Sequence, residues 1–295
     1  MSSQAKKYGI IVGVDGSPAS NTAVCWAAHD AVMRHIPLTL IHVVNPAASP
    51  WSQAPLLDEF AVWQENEGHK ILADALKIAR DIANGEPRIS IESELMFSAT
   101  VPTLVKLSKV AELVVVGNDG RGALARSLVG STSSALVRHA HCPVAVIRDE
   151  EPRMPHPAQA PVLVGIDGSP ASALATAIAF DEASRRHVGL IALHAWSDRE
   201  IFELPGLDWS AVKAEEERLL AEGLAGWQQR YPDVTVDRLL VCDRPARVLV
   251  ETSEAAQLVV VGSHGRGGFT GMLLGSVSNA VVQSVRMPVI VARQS

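Results

Sequence analysis

The sequence has few cysteines, few aromatic residues and no long hydrophobic run. Cys25, Cys142 and Cys242 are the three cysteines in 295 residues, and they form neither a CxxC pair nor a His/Cys cluster. This spacing excludes a disulfide framework and a cysteine-based metal site, so we expect buried or inert thiols. Aromatic residues make up 4% of the chain. Because no apolar segment is long enough to span a bilayer, membrane insertion is not expected.

The sequence also has no excess of basic residues, and an N-terminal signal peptide is not expected. The chain has 26 Lys and Arg against 32 Asp and Glu, a net charge of −6, and its basic residues are scattered. Such a charge distribution argues against a nucleic-acid partner. The N-terminus lacks the apolar core of a signal peptide, so a cytoplasmic location is expected. Hydrophobic residues at 47% and charged residues at 20% are typical of a compact folded protein.

The sequence contains an internal repeat. The segment 13–20, GVDGSPAS, recurs at 165–172 as GIDGSPAS, with seven of eight residues identical. A later pattern, Gly-x-x-Gly, nine residues and Gly-Ser, begins at Gly117 and again at Gly262, 145 residues further on. A repeat of this length predicts a duplicated domain rather than a solenoid. We predict domains at 1–148 and 161–295, joined by a charged, proline-rich linker at 149–160.

Within each copy, short β-branched runs alternate with longer amphipathic stretches. Apolar strands separated by helices indicate a parallel sheet covered on both faces, that is, a doubly wound α/β fold. Ligands of such sheets lie beyond the carboxyl ends of the strands. The predicted strands are Gly9–Val14, Leu38–Val44, Ile89–Leu95, Leu113–Val116 and Pro143–Ile147, then Val162–Ile166, Leu190–Ala195, Val234–Val241, Leu258–Val261 and Pro288–Ala292.

The later pattern places a glycine-rich loop between the fourth strand and the next helix. Glycine permits unusual dihedral angles and close approach of the backbone to a ligand. Successive amides and a helix N-terminus can then converge on phosphate oxygens. One such loop would be interpreted as a flexible turn, but its recurrence in the same context favours phosphate binding. The candidate glycines are Gly117, Gly120, Gly122 and Gly130, and Gly262, Gly265, Gly267 and Gly275.

Serine and aspartate residues flank these loops. Ser131 and Ser276 stand at or near a helix N-cap, where a hydroxyl either caps the helix or contacts phosphate. Asp15 and Asp167 follow the first strand of each copy. Each is either the N-cap of the next helix or a ligand of ribose or metal, and adjacency to the proposed pocket favours the ligand role.

Arginine and histidine residues also correspond between the copies. Arg121 and Arg266 occupy the same loop position and can meet phosphate charge, although simple surface solvation is the alternative. His42 and His194 lie inside apolar strands, where a hydrogen-bonded packing role is expected. Asp119 carries negative charge where the second copy has His264, so we expect the first site to bind phosphate more weakly.

Together these features resemble the universal stress protein family in its tandem-domain, ATP-binding form, over nearly the whole chain. Its diagnostic spacing, Gly, two residues, Gly, nine residues and Gly-Ser/Thr, is present in both copies. The resemblance implies two five-stranded domains of the adenine nucleotide alpha hydrolase-like type, with strand order 3-2-1-4-5. It also implies two sites per chain for ATP with Mg²⁺, and assembly into a homodimer.

The resemblance further implies roles for individual residues. Asp15 and Asp167 would contact ribose or the phosphate-bound metal, and Val43 and Ala195 would contact adenine through backbone atoms. The expected nucleotide contacts also include the arginines Arg121 and Arg266 and the residues Gly13, Gly165, Thr132, Val277 and Ser278, beside the loop glycines with Ser131 and Ser276.

Four functions follow as hypotheses. The first is an ATP-dependent regulator of a stress or growth response with an unknown protein partner. The second is a slow ATP hydrolase or adenylate-forming enzyme, which is less favoured because neither loop has the lysine of GxxxxGK[ST] or a nearby catalytic base. The third is a nucleotide-independent interaction module, and a FAD-binding electron carrier is a distant fourth. No catalytic residue is predicted.

Overall fold

Strands and helices alternate along both halves of the chain. The structure is a computed structural model that describes residues 8–45, 56–84, 89–119, 129–150, 156–196, 209–266 and 273–293. The chain divides into two compact units, residues 1–149 and 150–294.

The first unit contains five strands in one parallel sheet, in the order β3-β2-β1-β4-β5. This is the predicted strand order, and it is confirmed. Its elements are β1 (Tyr8–Gly13), α1 (Pro18–Arg34), β2 (Leu38–Val44), α2 (Leu56–Ala83), β3 (Ile91–Phe97), α3 (Thr100–Leu107), β4 (Ala111–Gly117), α4 (Ser131–His139) and β5 (Val144–Ile147).

The second unit repeats this topology with the order β8-β7-β6-β9-β10. A short 3-10 turn at Pro157–Gln159 precedes it, and α7 has no counterpart among the described residues of the first unit. Its elements are β6 (Val162–Gly165), α5 (Pro170–Arg186), β7 (Leu190–Trp196), α6 (Trp209–Leu224), α7 (Trp227–Arg230), β8 (Val236–Cys242), α8 (Pro245–Ser253), β9 (Leu258–Gly262), α9 (Ser276–Ser284) and β10 (Val289–Ala292).

The bounds of β3, β4 and β8 differ most from the sequence prediction. Strand β4 begins two residues earlier than predicted, at Ala111. Both β3 and β8 begin two residues later than predicted, at Ile91 and Val236. Each has the same mixed burial pattern, in which two consecutive exposed residues point to opposite faces, so its apolar signal is weaker than that of a central strand. The inner strands β1, β4, β6 and β9 are almost entirely buried.

Helices α1 and α5 pack small residues against the sheet. Ala23, Ala27 and Ala31 of α1 are fully buried, and α5 repeats the same spacing with Ala175, Ala179 and Ala183. Alanines at every fourth position form one face of a helix. Because this face is flat, the helix backbone approaches the carboxyl ends of the strands closely, and this approach places the first turn of the helix beside the loops described below.

The described residues contain no disulfide bond. Cys142 is buried and Cys25 is half-buried, but Cys242 is exposed at the end of edge strand β8. Cys242 is therefore not a buried thiol, and whether it is inert stays a prediction. No helix among the described residues is long and apolar enough to cross a membrane.

A glycine-loop pocket in each unit

Each unit has a pocket at the carboxyl ends of its strands. The cavity measures about 420 Å³ in the first unit and about 290 Å³ in the second. These volumes are close to the lower range of small-molecule sites. The first pocket is lined by the predicted residues Gly13, Asp15, Val43, Gly117, Gly130, Ser131 and Thr132. The second is lined by Gly165, Asp167, Ala195, Gly262 and Gly265, and further by Arg266, Gly275, Ser276, Val277 and Ser278.

Four of the predicted site residues are not described by the structure. Gly120, Arg121, Gly122 and Gly267 lie outside the described residues. Their assignment to phosphate contact therefore stays a prediction.

The aspartates after β1 and β6 shape a turn and face the pocket. Oδ1 of Asp15 accepts a hydrogen bond from the Ser17 amide at 2.9 Å, and Oδ1 of Asp167 accepts one from the Ser169 amide at 2.9 Å. The N-caps of α1 and α5 are Ser17 and Ser169 themselves. The alternative of aspartate as N-cap is therefore wrong. The turn needs glycine next to each aspartate, because Gly16 and Gly168 both have φ of 77°.

Gly117 and Gly262 are required for packing rather than for unusual dihedral angles. A Cβ on either glycine would lie 2.8 Å from a backbone carbonyl carbon, that of Ala19 for Gly117 and that of Ala171 for Gly262. Neither glycine is among the described residues with positive φ. The sequence-based reason for these two glycines is thus corrected: each lets the helix after the first strand approach the end of the fourth strand.

The helices after the glycine loops start without a side-chain cap. Gly130 is the N-cap of α4 and Gly275 that of α9, and neither helix has a capping side chain in the described part of the chain. Ser131 and Ser276 are instead the first helical residues, are exposed and line the pockets. The capping interpretation of these serines is wrong. Uncapped first-turn amides and the positive end of the helix dipole favour an anion at this place.

Hydrogen bonds close each loop onto the end of its strand. The Gly130 amide donates to the Asn118 carbonyl at 2.5 Å, and the Gly275 amide donates to the Ser263 carbonyl at 2.8 Å. The Ser133 hydroxyl donates to the Asn118 carbonyl at 3.0 Å. These bonds hold the helix N-terminus at a fixed place on the pocket wall.

Ser133 was missed by the sequence prediction, although its counterpart Ser278 was included. The Ser278 hydroxyl donates to the Gly262 carbonyl at 2.5 Å, so both serines fix the loop. Aligning the segments Gly130–Ser133 and Gly275–Ser278, which read GSTS and GSVS, carries the signal that finds Ser133.

Apolar side chains form the opposite wall of each pocket. Leu104 of α3 lines the first pocket and Leu249 of α8 the second. Val43 lies on β2 and Ala195 on β7, near the carboxyl ends of those strands. Apolar side chains beside backbone polar groups suit an aromatic base. The sequence did not single out the two leucines because nothing distinguishes them from ordinary core residues.

The two strand histidines are hydrogen-bonded, as expected. Nδ1 of His42 donates to the Val14 carbonyl at 2.6 Å, and Nδ1 of His194 donates to the Ile166 carbonyl at 2.6 Å. His194 is buried and His42 is half-buried. These bonds tie the second strand of each sheet to the backbone just before the pocket aspartate.

The electrostatic surroundings of the two pockets differ. Asp119 lines the first pocket, whereas His264 and Arg266 line the second. No group of three His, Cys, Asp or Glu side chains in the described parts of either unit is placed to hold a metal ion alone. Asp15 and Asp119 are the acidic residues that line the first pocket among the described residues, and Asp167 is the one that lines the second. So few carboxylates fit a cation that is bound chiefly by a ligand's phosphates.

The fold and pockets define a tandem pair of doubly wound α/β domains, each with a glycine loop leading into a helix at the edge of its sheet. The model of the universal stress protein family matches residues 9–148 and 160–293. The chain therefore belongs to the universal stress protein family, as the resemblance predicted.

Full-length relatives and one solved structure agree with this assignment. The chain is 62% identical over 295 residues to a universal stress protein from Mycobacterium tuberculosis, covering 100% of both chains. It is 56% identical to another from the same organism, covering 100% of this chain and 99% of the relative. The crystal structure of a universal stress protein from Archaeoglobus fulgidus matches with a TM-score of 0.68 at 18% identity, over 99% of this chain and 100% of the other. That last likeness concerns the fold.

Proposed function

We propose that the protein binds ATP with Mg²⁺ in both units and acts as a nucleotide-dependent regulator of a stress or growth response. The observation that carries this proposal is the uncapped N-terminus of α4 and of α9, each held at a pocket wall by its glycine loop. An anion is the ligand that such a helix end favours. Occurrence of the same arrangement in both units supports two sites per chain.

The remaining walls suit the other parts of the nucleotide. Asp15 and Asp167 would contact a ribose hydroxyl or a phosphate-bound Mg²⁺. Oδ1 of each aspartate already accepts a hydrogen bond from a backbone amide of the turn. Backbone atoms of Val43 in the first pocket and of Ala195 in the second would contact adenine. Leu104 and Leu249 would contact its other side. In this proposal the phosphates bind at the helix end and the base binds against the apolar wall.

The residues that line the pockets suit ATP binding better than ATP hydrolysis. No lysine lines either pocket in the described residues, and His194 is engaged by two hydrogen bonds. A phosphoryl-transfer enzyme needs positive groups on the transferred phosphate and an oriented nucleophile. We therefore propose a sensor or switch that acts through a protein partner, as a cytoplasmic homodimer, with at most slow ATP hydrolysis.

Nucleotide release and calorimetry test this function. The purified full-length protein is denatured and the supernatant is chromatographed, and protein stripped of nucleotide is titrated with Mg-ATP. We expect released adenine nucleotide and two ATP bound per chain. Titration with Mg-GTP is the control for base recognition, and EDTA is expected to weaken ATP binding. Absence of both released nucleotide and Mg-ATP binding would overturn the proposal.

A further inference from the structure

A chain of polar contacts links the second pocket to helix α6. Nε2 of the buried His194 lies at hydrogen-bond distance, 2.6 Å, from Oε2 of Glu216. The same oxygen lies 4.0 Å from Nη1 of Arg266, which belongs to the glycine loop. One carboxylate of α6 therefore holds the strand histidine and attracts the guanidinium of the loop.

Arg266 lies between α6 and the pocket. A Cβ on Gly168 would be 3.2 Å from Nη2 of Arg266, so the guanidinium rests over the turn that follows Asp167. Its side chain also lines the pocket. The side chain of Glu216 is 17% exposed and that of Arg266 46% exposed, so water weakens their attraction without removing it.

The charge of Arg266 also acts on a second carboxylate of α6, that of Glu215. The pKa of Glu215 is lowered mainly by its hydrogen bond to Arg218 and further by the charges of Arg218 and Arg266. Two carboxylates of α6 therefore attract the Arg266 side chain, which also lines the pocket proposed to bind phosphate.

The first unit differs at the position of Glu216. Aligning Ile71-Leu72-Ala73 of α2 with Leu219-Leu220-Ala221 of α6 places Gly68 opposite Glu216. In the structure Gly68 lies on the histidine of its own unit, since a Cβ there would be 3.1 Å from Cδ2 of His42. This position carries no side chain in the first unit, so the arrangement around Glu216 belongs to the second unit.

We propose that Glu216 is a specificity-determining residue, which competes with nucleotide phosphate for Arg266 and so lowers the preference of the second site for ATP over adenosine. The inference rests on the proposed function of the same pocket. A polyphosphate at the start of α9 attracts the guanidinium away from Glu216, and the loss of that pair opposes binding. Adenosine has no phosphate, so it leaves the pair intact.

The test uses the full-length protein with its first site blocked. Ser131→Asp puts a carboxylate at the N-terminus of α4, where it repels phosphate while suiting the helix dipole. In that background, Glu216→Gln removes the charge but retains an acceptor for His194. We expect ATP affinity to rise about fivefold, the scale of a partly exposed ion pair, with adenosine affinity unchanged.

Glu217→Gln is the matched control. It removes the same charge from the next residue of α6, which is 58% exposed and lies 3.8 Å from Lys213 Nζ. The ratio of ATP to adenosine affinity is expected to stay constant. In an Arg266→Gln background, Glu216→Gln is expected to change the ratio by less than about twofold, because the competition is already gone.

Each result has one interpretation. An equal change in ATP and adenosine affinity would make Glu216 a structural residue and overturn its role in specificity. A full effect that persists in the Arg266→Gln background would assign it to general charge repulsion, which overturns the competition. If the chain binds ATP but Glu216→Gln leaves the ratio of ATP to adenosine affinity unchanged, only this inference is overturned. If the unmutated chain binds neither ATP nor adenosine, the proposed function is overturned as well.

Discussion

Gly117 at the end of β4 lies so close to Ala19 of α1 that a Cβ on the glycine would be 2.8 Å from the alanine carbonyl carbon. The atom in the way belongs to the helix backbone, so a side chain could be accommodated only by moving α1. We expect Gly117→Ala to lower the free energy of unfolding of the first unit by about 1–3 kcal/mol. Urea unfolding measures this loss.

Gly189→Ala is the control for that substitution. A Cβ on Gly189 would be 3.4 Å from the Thr235 carbonyl oxygen, an ordinary contact distance. Its effect should stay within about 0.5 kcal/mol. Equal stability of the Gly117→Ala protein and the unmutated protein would contradict the packing role of Gly117. A larger residue at Gly117 is consequently a poor way to block ligand binding without harming the fold.

Ser131 and Ser276 offer a way to block each pocket alone. Both are exposed first residues of helices, so aspartate suits the helix dipole but repels an incoming phosphate. We expect either substitution to reduce ATP binding from two molecules per chain to one, and the double variant to bind none. Calorimetry gives the stoichiometry.

Ser134→Asp and Asn279→Asp are the controls for these variants. Each adds a carboxylate to the same helix at a position that does not line the pocket. Both are expected to keep two ATP molecules per chain. If Ser131→Asp and Ser276→Asp also keep both, phosphate does not bind at these helix ends.

Asp119 and His264 make the two pockets unequal. Asp119 brings negative charge to the first pocket at the position that His264 holds in the second. We therefore expect ATP titration of the unmutated chain to resolve two affinities, with the weaker one at the first site. Asp119→His, in the Ser276→Asp background, should raise the remaining affinity about threefold to tenfold because a repulsive charge is removed.

The reciprocal variant tests the same idea. His264→Asp in the Ser131→Asp background should weaken ATP binding at the second site. Two identical, independent affinities in the unmutated chain would refute the inequality.

Cys142 and Cys242 should differ in reactivity toward iodoacetamide. Burial raises the pKa of the Cys142 thiol to about 12, and the reactive form is the thiolate. At pH 8 only about one Cys142 thiol in ten thousand is ionised, and this fraction grows tenfold per pH unit until it levels off near the pKa. We expect mass spectrometry to show rapid labelling of exposed Cys242 and very slow labelling of Cys142.

Unfolding provides the control for this experiment. In guanidinium chloride both thiols are exposed and should react at similar rates. Labelling of Cys142 as fast as Cys242 in the folded protein would show that its surroundings are not closed to reagent.

The central strands could be predicted from the sequence because burial on both faces leaves an unmistakable apolar run, whereas their order followed from the resemblance to the family. Val114 and Val115, for example, are fully buried in β4 and stand in an uninterrupted hydrophobic segment. The sequence predicts the starts of β3 and β8 two residues too early, since these edge strands expose residues on both faces and have no continuous apolar run. Periodicity alone does not say where such a strand begins pairing.

The pockets were only partly predictable. The repeat revealed which loops and aspartates would meet, because duplicated spacing is visible in a linear sequence. The sequence does not show why Gly117 must be a glycine, since the constraint comes from Ala19, a residue almost a hundred positions away. Likewise Glu216 carries no sequence signal of its own, as it lies among other charged residues of a helix and acquires its contacts only when α6 packs beside His194.

Each pocket is lined, among the described residues, only by residues of its own unit. A substitution in one pocket therefore leaves the walls of the other unchanged, and selection can act on either copy while the other retains its properties. If the two affinities differ as proposed, a single chain passes through three occupancy states as ligand concentration rises. Duplication then widens the concentration range over which the protein responds, without the need for a second gene product.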